Sequence, residues 1–255
     1  MSVQGRVFAV TGGGSGMGAA ICTLLAQRGA RAVAASDLSK DGLDTLKASL
    51  KKINVETQVD CTVLDVTITS AVEDWIKGIV DKFGDLHGAC NAAGFPQRIG
   101  ETELPNILGE PTDAWNRVFK VNLDGVFYCT RAQIKAMKSL NKTDRGIVNI
   151  SSMASLEHVP DIYAYRTSKA ACAHFTQSVA KDCEPFGIRV NCVSPGSTQT
   201  PMLNQFMDEK ILQGFMDRGW VLMEPTDVAR AVVWLLSEDS RPVFGANLNV
   251  GAAIP

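Results

Sequence analysis

Short apolar runs rich in β-branched residues alternate along the chain with longer segments whose apolar positions recur every three or four residues. The runs Val7–Val10, Ala32–Ser36, Gln58–Val63, Leu86–Cys90, Gly146–Ile150, Ile188–Val193 and Ala246–Val250 read as strands. Between them, residues 19–26, 38–52 (with Leu43, Leu46 and Leu50), 70–83, 112–136 and 163–185 carry helical spacing, as does the segment after Glu224–Asp227 with Val232, Val233, Leu235 and Leu236. Strand and helix in alternation predict an α/β fold, a doubly wound parallel sheet with helices on both faces. Internal repeats are absent, and the pattern continues unbroken, so residues 1–255 are expected to form a single domain.

The punctuation between these elements carries the candidate chemistry. Thr11-Gly12-Gly13-Gly14-Ser15-Gly16-Met17-Gly18 lies between the first strand and the first helix. Glycines in such a turn admit unusual backbone angles and leave room for a pyrophosphate, which the free N–H groups of the helix start then face. Asp37 ends the second run, about 20 residues beyond the glycines, where a dinucleotide fold places the acid that binds the adenosine ribose; capping of the next helix is the alternative. Ligands collect at the carboxyl ends of strands in open parallel sheets. This rule draws attention to Asp65 and Val66 for the adenine, or as a plain cap, and to the small-residue segment Asn91-Ala92-Ala93-Gly94. It also draws in Ser151 and Ser152 and the turn Pro195-Gly196-Ser197-Thr198-Gln199-Thr200. Asn122 interrupts a helical pattern between Val121 and Leu123, which suggests a kink or a bound water. Tyr165 and Lys169, four positions apart, share a helix face, whereas Tyr163 is out of step with Lys169 and is expected to pack or line a pocket. Met202 to Trp220 holds more apolar side chains than one buried face requires, so residues 200–222 read as a substrate lid or as a helix pair packed on the core or on another subunit.

Composition narrows the class. The 255 residues are 45% hydrophobic, with a net charge of −2 and charges of both signs scattered. Nucleic acid and anionic membrane are therefore not expected as partners. No segment reaches the roughly 18 uncharged apolar residues of a membrane span, and no leader pattern precedes the first strand, which points to a cytoplasmic protein. The seven cysteines are far apart and lie mostly in apolar segments, so they read as reduced core residues. Neither they nor His87, His158 and His174 show a ligand spacing, and no metal is assigned.

Taken together these residues resemble the short-chain dehydrogenase/reductase family over essentially the whole chain. TGGGSGMG is similar to the family's TGxxxGxG turn, NAAG to its NNAG element, YRTSK to its YxxxK motif and PGSTQT to the PG segment over the nicotinamide, with Ser152 at the family's separation from Tyr165. The resemblance implies a Rossmann fold and a catalytic tetrad of Asn122, Ser152, Tyr165 and Lys169. Tyr165 would exchange the proton, Ser152 would bind the substrate oxygen, Asn122 would hold a water, and Lys169 would also bind the nicotinamide ribose. It implies cofactor contacts from Gly12, Ser15, Gly16, Met17, Gly18, Asp37, Asp65, Val66, Asn91, Ala92, Ala93, Gly94, Tyr165, Lys169, Pro195, Gly196, Thr198 and Thr200. The physics agrees: a free tyrosine, with a pKa of about 10, is a poor base at neutral pH, and a nearby ammonium favours its phenolate. Asp37, with no arginine beside it, repels a 2′-phosphate and predicts NAD(H) over NADP(H).

The activity so implied is interconversion of a secondary alcohol and a ketone. Redox-neutral isomerisation, dehydration or cyclisation with bound NAD is the alternative, and a cofactor-sensing protein a more distant one. Met153, Glu157, His158, Val159, Tyr163, Met202 and Phe206 are the expected substrate surroundings. Their apolar bulk suggests a lipophilic terpenoid, steroid-like or polyketide compound rather than a charged acyl carrier. Two departures stand out: Ala92 replaces the family's second asparagine, and Asn249–Pro255 resembles the VDGG ending without its aspartate. Family members form dimers or tetramers through the long helices after Gly109 and Tyr165, and a homodimer or homotetramer is expected here.

Overall fold

The computed structural model describes residues 3–97, 105–141, 144–158, 160–217, 219 and 221–251. Val159, Trp220 and the tail 252–255, all singled out above, lie outside the described residues. The strands are β1 (Val7–Thr11), β2 (Ala32–Asp37), β3 (Gln58–Val63), β4 (Gly88–Asn91), β5 (Arg145–Ile150), β6 (Ile188–Pro195) and β7 (Asn247–Val250). Every pairing among them is parallel, in the order β3-β2-β1-β4-β5-β6-β7. The order reverses between β1 and β4, and this opens a crevice at their carboxyl ends.

Side chains alternate across the sheet, so each strand feeds two cores. Phe8 and Val10 of β1 join one with α1 (Gly16–Gln27), α2 (Lys40–Ile53) and α9 (Pro225–Leu236). Val7 and Ala9 join the other with α3 (Thr69–Phe83), α5 (Val126–Ser139) and α6 (Tyr163–Cys183). Between α4 (Thr112–Phe119) and α5 the chain makes a π-helical turn, Lys120–Gly125, and Asn122 lies inside it, fully buried. The interruption expected at this asparagine is thus a widened turn, of a kind that concentrates at functional sites. The segment after β6 forms two short helices, α7 (Leu203–Phe206) and α8 (Glu209–Met216). Among the described residues no helix is long and apolar enough to cross a membrane. All seven cysteines are unpaired, and burial pushes the Cys129 thiol up to about 12 and the Cys22 and Cys90 thiols upward as well.

The amino end of the sheet holds a buried charge cluster that the hydrophobic pattern gave no sign of. Arg189 donates to both oxygens of Asp144 at 2.9 and 3.2 Å, and Arg145 donates to Asp85 at 2.6 Å and to the Leu86 carbonyl. Each guanidinium is almost wholly enclosed and is paired with a carboxylate and with backbone carbonyls, the condition under which a buried charge is tolerated. His87 joins this cluster: its Nδ1 accepts the Val7 N–H at 3.2 Å and its Nε2 lies 3.4 Å from Asp85. Burial lowers its pKa, and the charges of Arg145, Arg6 and Arg31 lower it further against the pull of Asp85. Because the folded value lies below the ordinary 6.5, the unfolded chain takes up the proton first as pH falls. The stabilisation is whole above that value and is lost below it. Urea midpoints of wild type and His87→Gln should therefore converge between about pH 7 and pH 5; a gap that stayed constant or widened would refute the assignment.

Candidate active site

The crevice at the β1–β4 reversal is shaped by backbone. Gly12 has φ 68°, and a Cβ there would stand 2.8 Å from the Ala92 carbonyl carbon and the Ala93 nitrogen. A Cβ at Gly18 would stand 2.0 Å from the Gly12 oxygen, so α1 rests directly on the turn. Helix bonding starts with Ala19 N–H to Ser15 O at 3.1 Å, which leaves the N–H groups of Gly16, Met17 and Gly18 without helical acceptors. A glycine turn that brings only backbone up to a helix start with free N–H groups fits a dinucleotide pyrophosphate. Asp37 braces the same turn: one carboxylate oxygen accepts the Gly14 N–H at 2.9 Å and the other the Ser39 N–H at 2.9 Å. Ser39, not Asp37, caps α2, by accepting the Gly42 N–H. Thr200 lies across the crevice, its methyl carbon 3.1 Å from where a Cβ at Gly16 would stand. Thr198 is nearly buried, with its hydroxyl bonded to the Gly196 carbonyl, and Pro195 closes β6.

Next to this crevice α6 delivers Tyr165 and Lys169, both buried. Lys169 Nζ donates to the Ile150 carbonyl at 2.9 Å and lies 5.7 Å from the centre of the Tyr165 ring. A side-chain carbon at Gly94 would stand 3.5 Å from Asn122 Oδ1, 3.6 Å from Lys169 Nζ and 3.7 Å from the Met202 methyl. Four segments distant in sequence therefore converge there. Ser151 donates to the Lys169 carbonyl at 2.7 Å and so ties β5 to α6. Ser152 accepts the Ala154 N–H at 3.1 Å, which leaves its own O–H to donate. Phe206 of α7 packs edge-on against Tyr165, with ring centres 4.7 Å apart, and Met153 reaches Gly196.

A model of the family described as enoyl-(acyl carrier protein) reductase matches residues 12–252. This chain belongs to the short-chain dehydrogenase/reductase family. It is 56% identical, over 100% of its length and 99% of the relative's, to a chanoclavine-I dehydrogenase of Penicillium roqueforti. Identity to that of Aspergillus fumigatus is 55%, and to that of Claviceps purpurea 51%, each over 100% of this chain and 99% of the relative. Among solved structures it is similar to an NAD+-bound xylitol dehydrogenase, with a TM-score of 0.89 at 28% identity, covering 99% of this chain and 100% of that one. It is similar also to a levodione reductase, with a TM-score of 0.89 at 27% identity, covering 97% and 96%. The chain is thus an oxidoreductase of the short-chain alcohol dehydrogenase type, in a family that works with nicotinamide dinucleotides.

Within this short-chain dehydrogenase some expected contacts are redirected. Both amide protons of Asn122 are used, one on the Phe95 carbonyl at 3.0 Å and one on Ser168 Oγ at 3.2 Å, while its oxygen accepts the Phe95 N–H at 2.7 Å. The Asn91 side chain turns inward to Thr130, Gln133 and Asn149, so it offers a cofactor only its backbone. Asp65 accepts the Thr67 N–H at 2.8 Å, a local turn bond, and Val66 packs against Gly125. The plain helix cap read as the alternative for Asp65 is not formed, since α3 starts after Ile68 with no side-chain cap.

His158 and Tyr163, expected around the substrate, line a cavity of about 380 Å³ with Glu157, Pro160, Arg166 and Thr167. At about 100° per residue, Tyr163 stands roughly 200° round α6 from Tyr165 and so faces away. Phe206 is brought against Tyr165 and Met202 to Gly94, while Met153 reaches Gly196. Gln97 and Glu110 beside α6 were missed, because a glutamine and a glutamate in a proline-broken stretch carry no pattern.

Proposed function

We propose that the chain is an NAD(H)-dependent dehydrogenase that interconverts the alcohol and carbonyl forms of a lipophilic polycyclic compound, namely chanoclavine-I or a closely similar ergot-alkaloid intermediate. The observation that carries the reading is the buried ammonium of Lys169 near the Tyr165 ring, beside the glycine turn at the β1–β4 reversal. Identity above half to relatives named for chanoclavine-I, over full length, supports the substrate. An alcohol–aldehyde pair then replaces the alcohol–ketone pair suggested by sequence. The apolar cover supports the same class: Phe206 lies on Tyr165 and Met202 at Gly94, in keeping with residues 200–222 acting as a lid on one catalytic unit.

The bound dinucleotide supplies hydride acceptance and donation. The chain's own residues handle the proton. Ser152 donates its free O–H to the substrate oxygen and fixes it near the phenol. Tyr165 as phenolate takes the alcohol proton during oxidation and returns it during reduction. Lys169, pinned by the Ile150 carbonyl, stabilises the phenolate by its charge. The Phe206 and Met202 side chains keep water from the reacting atoms. Turnover of chanoclavine-I with NAD+, followed by nicotinamide absorbance, tests the reading. It fails if neither this alcohol nor a panel of cyclic alcohols changes the absorbance.

Asp37 sets the cofactor preference. Its carboxylate stands at the glycine turn, while Arg31 is occupied at the far end of β2 by the Gly5 and Phe83 carbonyls. Ribose hydroxyls are accepted at such a carboxylate and a 2′-phosphate is repelled. Asp37→Ser is expected to lower the NAD+ to NADP+ ratio of kcat/KM by about tenfold or more, and a wild-type preference for NADPH of that size would overturn the assignment. The exposed face of α5 supports association into dimers or tetramers: Phe127 is 39% exposed, edge-on to Phe175 and covered by Arg131.

A further inference from the structure

The helix that carries Tyr165 begins without a cap of its own. Ile162, at its boundary, offers no side-chain acceptor and sits at φ 35°, in the left-handed region that β-branched residues rarely enter. The first helical bond runs from Arg166 N–H to the Ile162 carbonyl at 3.0 Å. The Tyr165 N–H is therefore the last of the first turn without a helical acceptor.

A residue far away in sequence fills that place. Gln97 Oε1 accepts the Tyr165 N–H at 3.0 Å. A glutamine side chain can present either its oxygen or its nitrogen, and here the choice is made by Glu110. Glu110, an acceptor only when ionised, takes the Gln97 Nε2 protons on both its oxygens, at 2.7 and 2.8 Å. The amide is thus held with its oxygen toward the helix. A carboxylate close to a helix N-terminus is also favoured by the helix dipole. Gln97 follows Phe95, whose backbone is clamped by Asn122 on both its N–H and its carbonyl. The chain of contacts joins the π-turn, the end of β4 and the first turn of α6.

We propose that Gln97 and Glu110 act as a positioning pair, a cap supplied from outside the helix that fixes the Tyr165 turn, and so the phenol, against the β4 side of the crevice. The role rests on the reading of Tyr165 as the proton exchanger. Neither side chain touches the reacting atoms, and their effect passes through the backbone of Tyr165. Small displacements of a reacting group are costly, so loss of the cap acts on kcat more than on KM.

A charge swap tests it in the full-length protein. Gln97→Leu removes the acceptor. Gln97→Glu sets two carboxylates against each other, and the double variant Gln97→Glu/Glu110→Gln restores one carboxylate and one amide with the roles exchanged. Expected is a fall in kcat of about tenfold to a hundredfold in both single variants, with KM and NADH affinity little changed, and recovery in the double variant. Wild-type kcat in Gln97→Leu, or no recovery in the double variant, would overturn the pairing. Hydrogen exchange of the Tyr165 amide is read in the same four proteins and requires no substrate: slow, fast, fast and slow in that order. Inactive wild type with this exchange pattern would count against the dehydrogenase reading and leave the cap standing. Fast exchange in wild type would sink the cap whatever the turnover.

Discussion

Tyr165→Phe is expected to lower kcat by about a hundredfold to ten-thousandfold, the range associated with a positioned acid–base group. The substitution is nearly isosteric. Tyr165 belongs to a buried apolar cluster with Val118, Ile162 and Ala164 and meets Phe206 edge-on, ring contacts that a phenylalanine can also make. The backbone N–H that Gln97 accepts also remains. Fold, lid and dinucleotide crevice should therefore survive, and only the atom that moves the proton is removed. Thermal midpoint and NADH affinity serve as controls and should stay near wild type. A variant that kept more than about a tenth of wild-type kcat would remove Tyr165 from the mechanism, since a general acid–base is worth more than that. A large loss of NADH affinity would mean instead that the phenol serves mainly to bind the cofactor.

What the sequence made legible and what it did not have different physical origins. Strand and helix periodicity is written in neighbouring residues, so each predicted strand appears within a few positions of its range, and the β1–β4 reversal follows from the order of the parallel strands. Tyr165 and Lys169 were legible because one helical turn separates them, whereas the bond by which Ser151 ties β5 to the Lys169 carbonyl leaves no trace in sequence spacing. Asn122 disturbed a helical pattern and does mark a π-turn, but its bonds to Phe95 depend on a partner 27 positions away. His158 and Tyr163 lie near Ser152 and Tyr165 in sequence, yet helix geometry turns Tyr163 away from Tyr165 and gathers it with His158, Glu157 and Arg166 around one cavity, a grouping that sequence spacing did not reveal. Gln97, the Ile150 carbonyl and the Arg145–Asp85 and Arg189–Asp144 pairs were invisible for a common reason: each acts through a tertiary contact that leaves no periodic trace.

Gly18→Ala should have the second large effect, and the argument is one of space alone. The added methyl would overlap the Gly12 carbonyl oxygen at 2.0 Å, with the Gly12 carbonyl carbon at 2.6 Å and the Gly13 nitrogen at 3.1 Å. All three are backbone atoms, so no rotamer change relieves the clash, and either α1 moves away from β1 or the turn deforms. Alanine is the better helix former, so propensity predicts a slight gain and the clash a loss; their opposite signs make the outcome decisive. Overpacking of this kind costs about 1–3 kcal/mol, or more where backbone must shift. Moving α1 also displaces the N–H groups of Gly16 and Met17 that would face the pyrophosphate, so the cost falls on binding as well as on stability. NADH affinity, followed by nicotinamide fluorescence, is expected to weaken by about tenfold to a hundredfold together with a lower thermal midpoint. Unchanged affinity in a folded Gly18→Ala protein would mean that the dinucleotide does not lie on this turn, and the crevice assignment would fall with it.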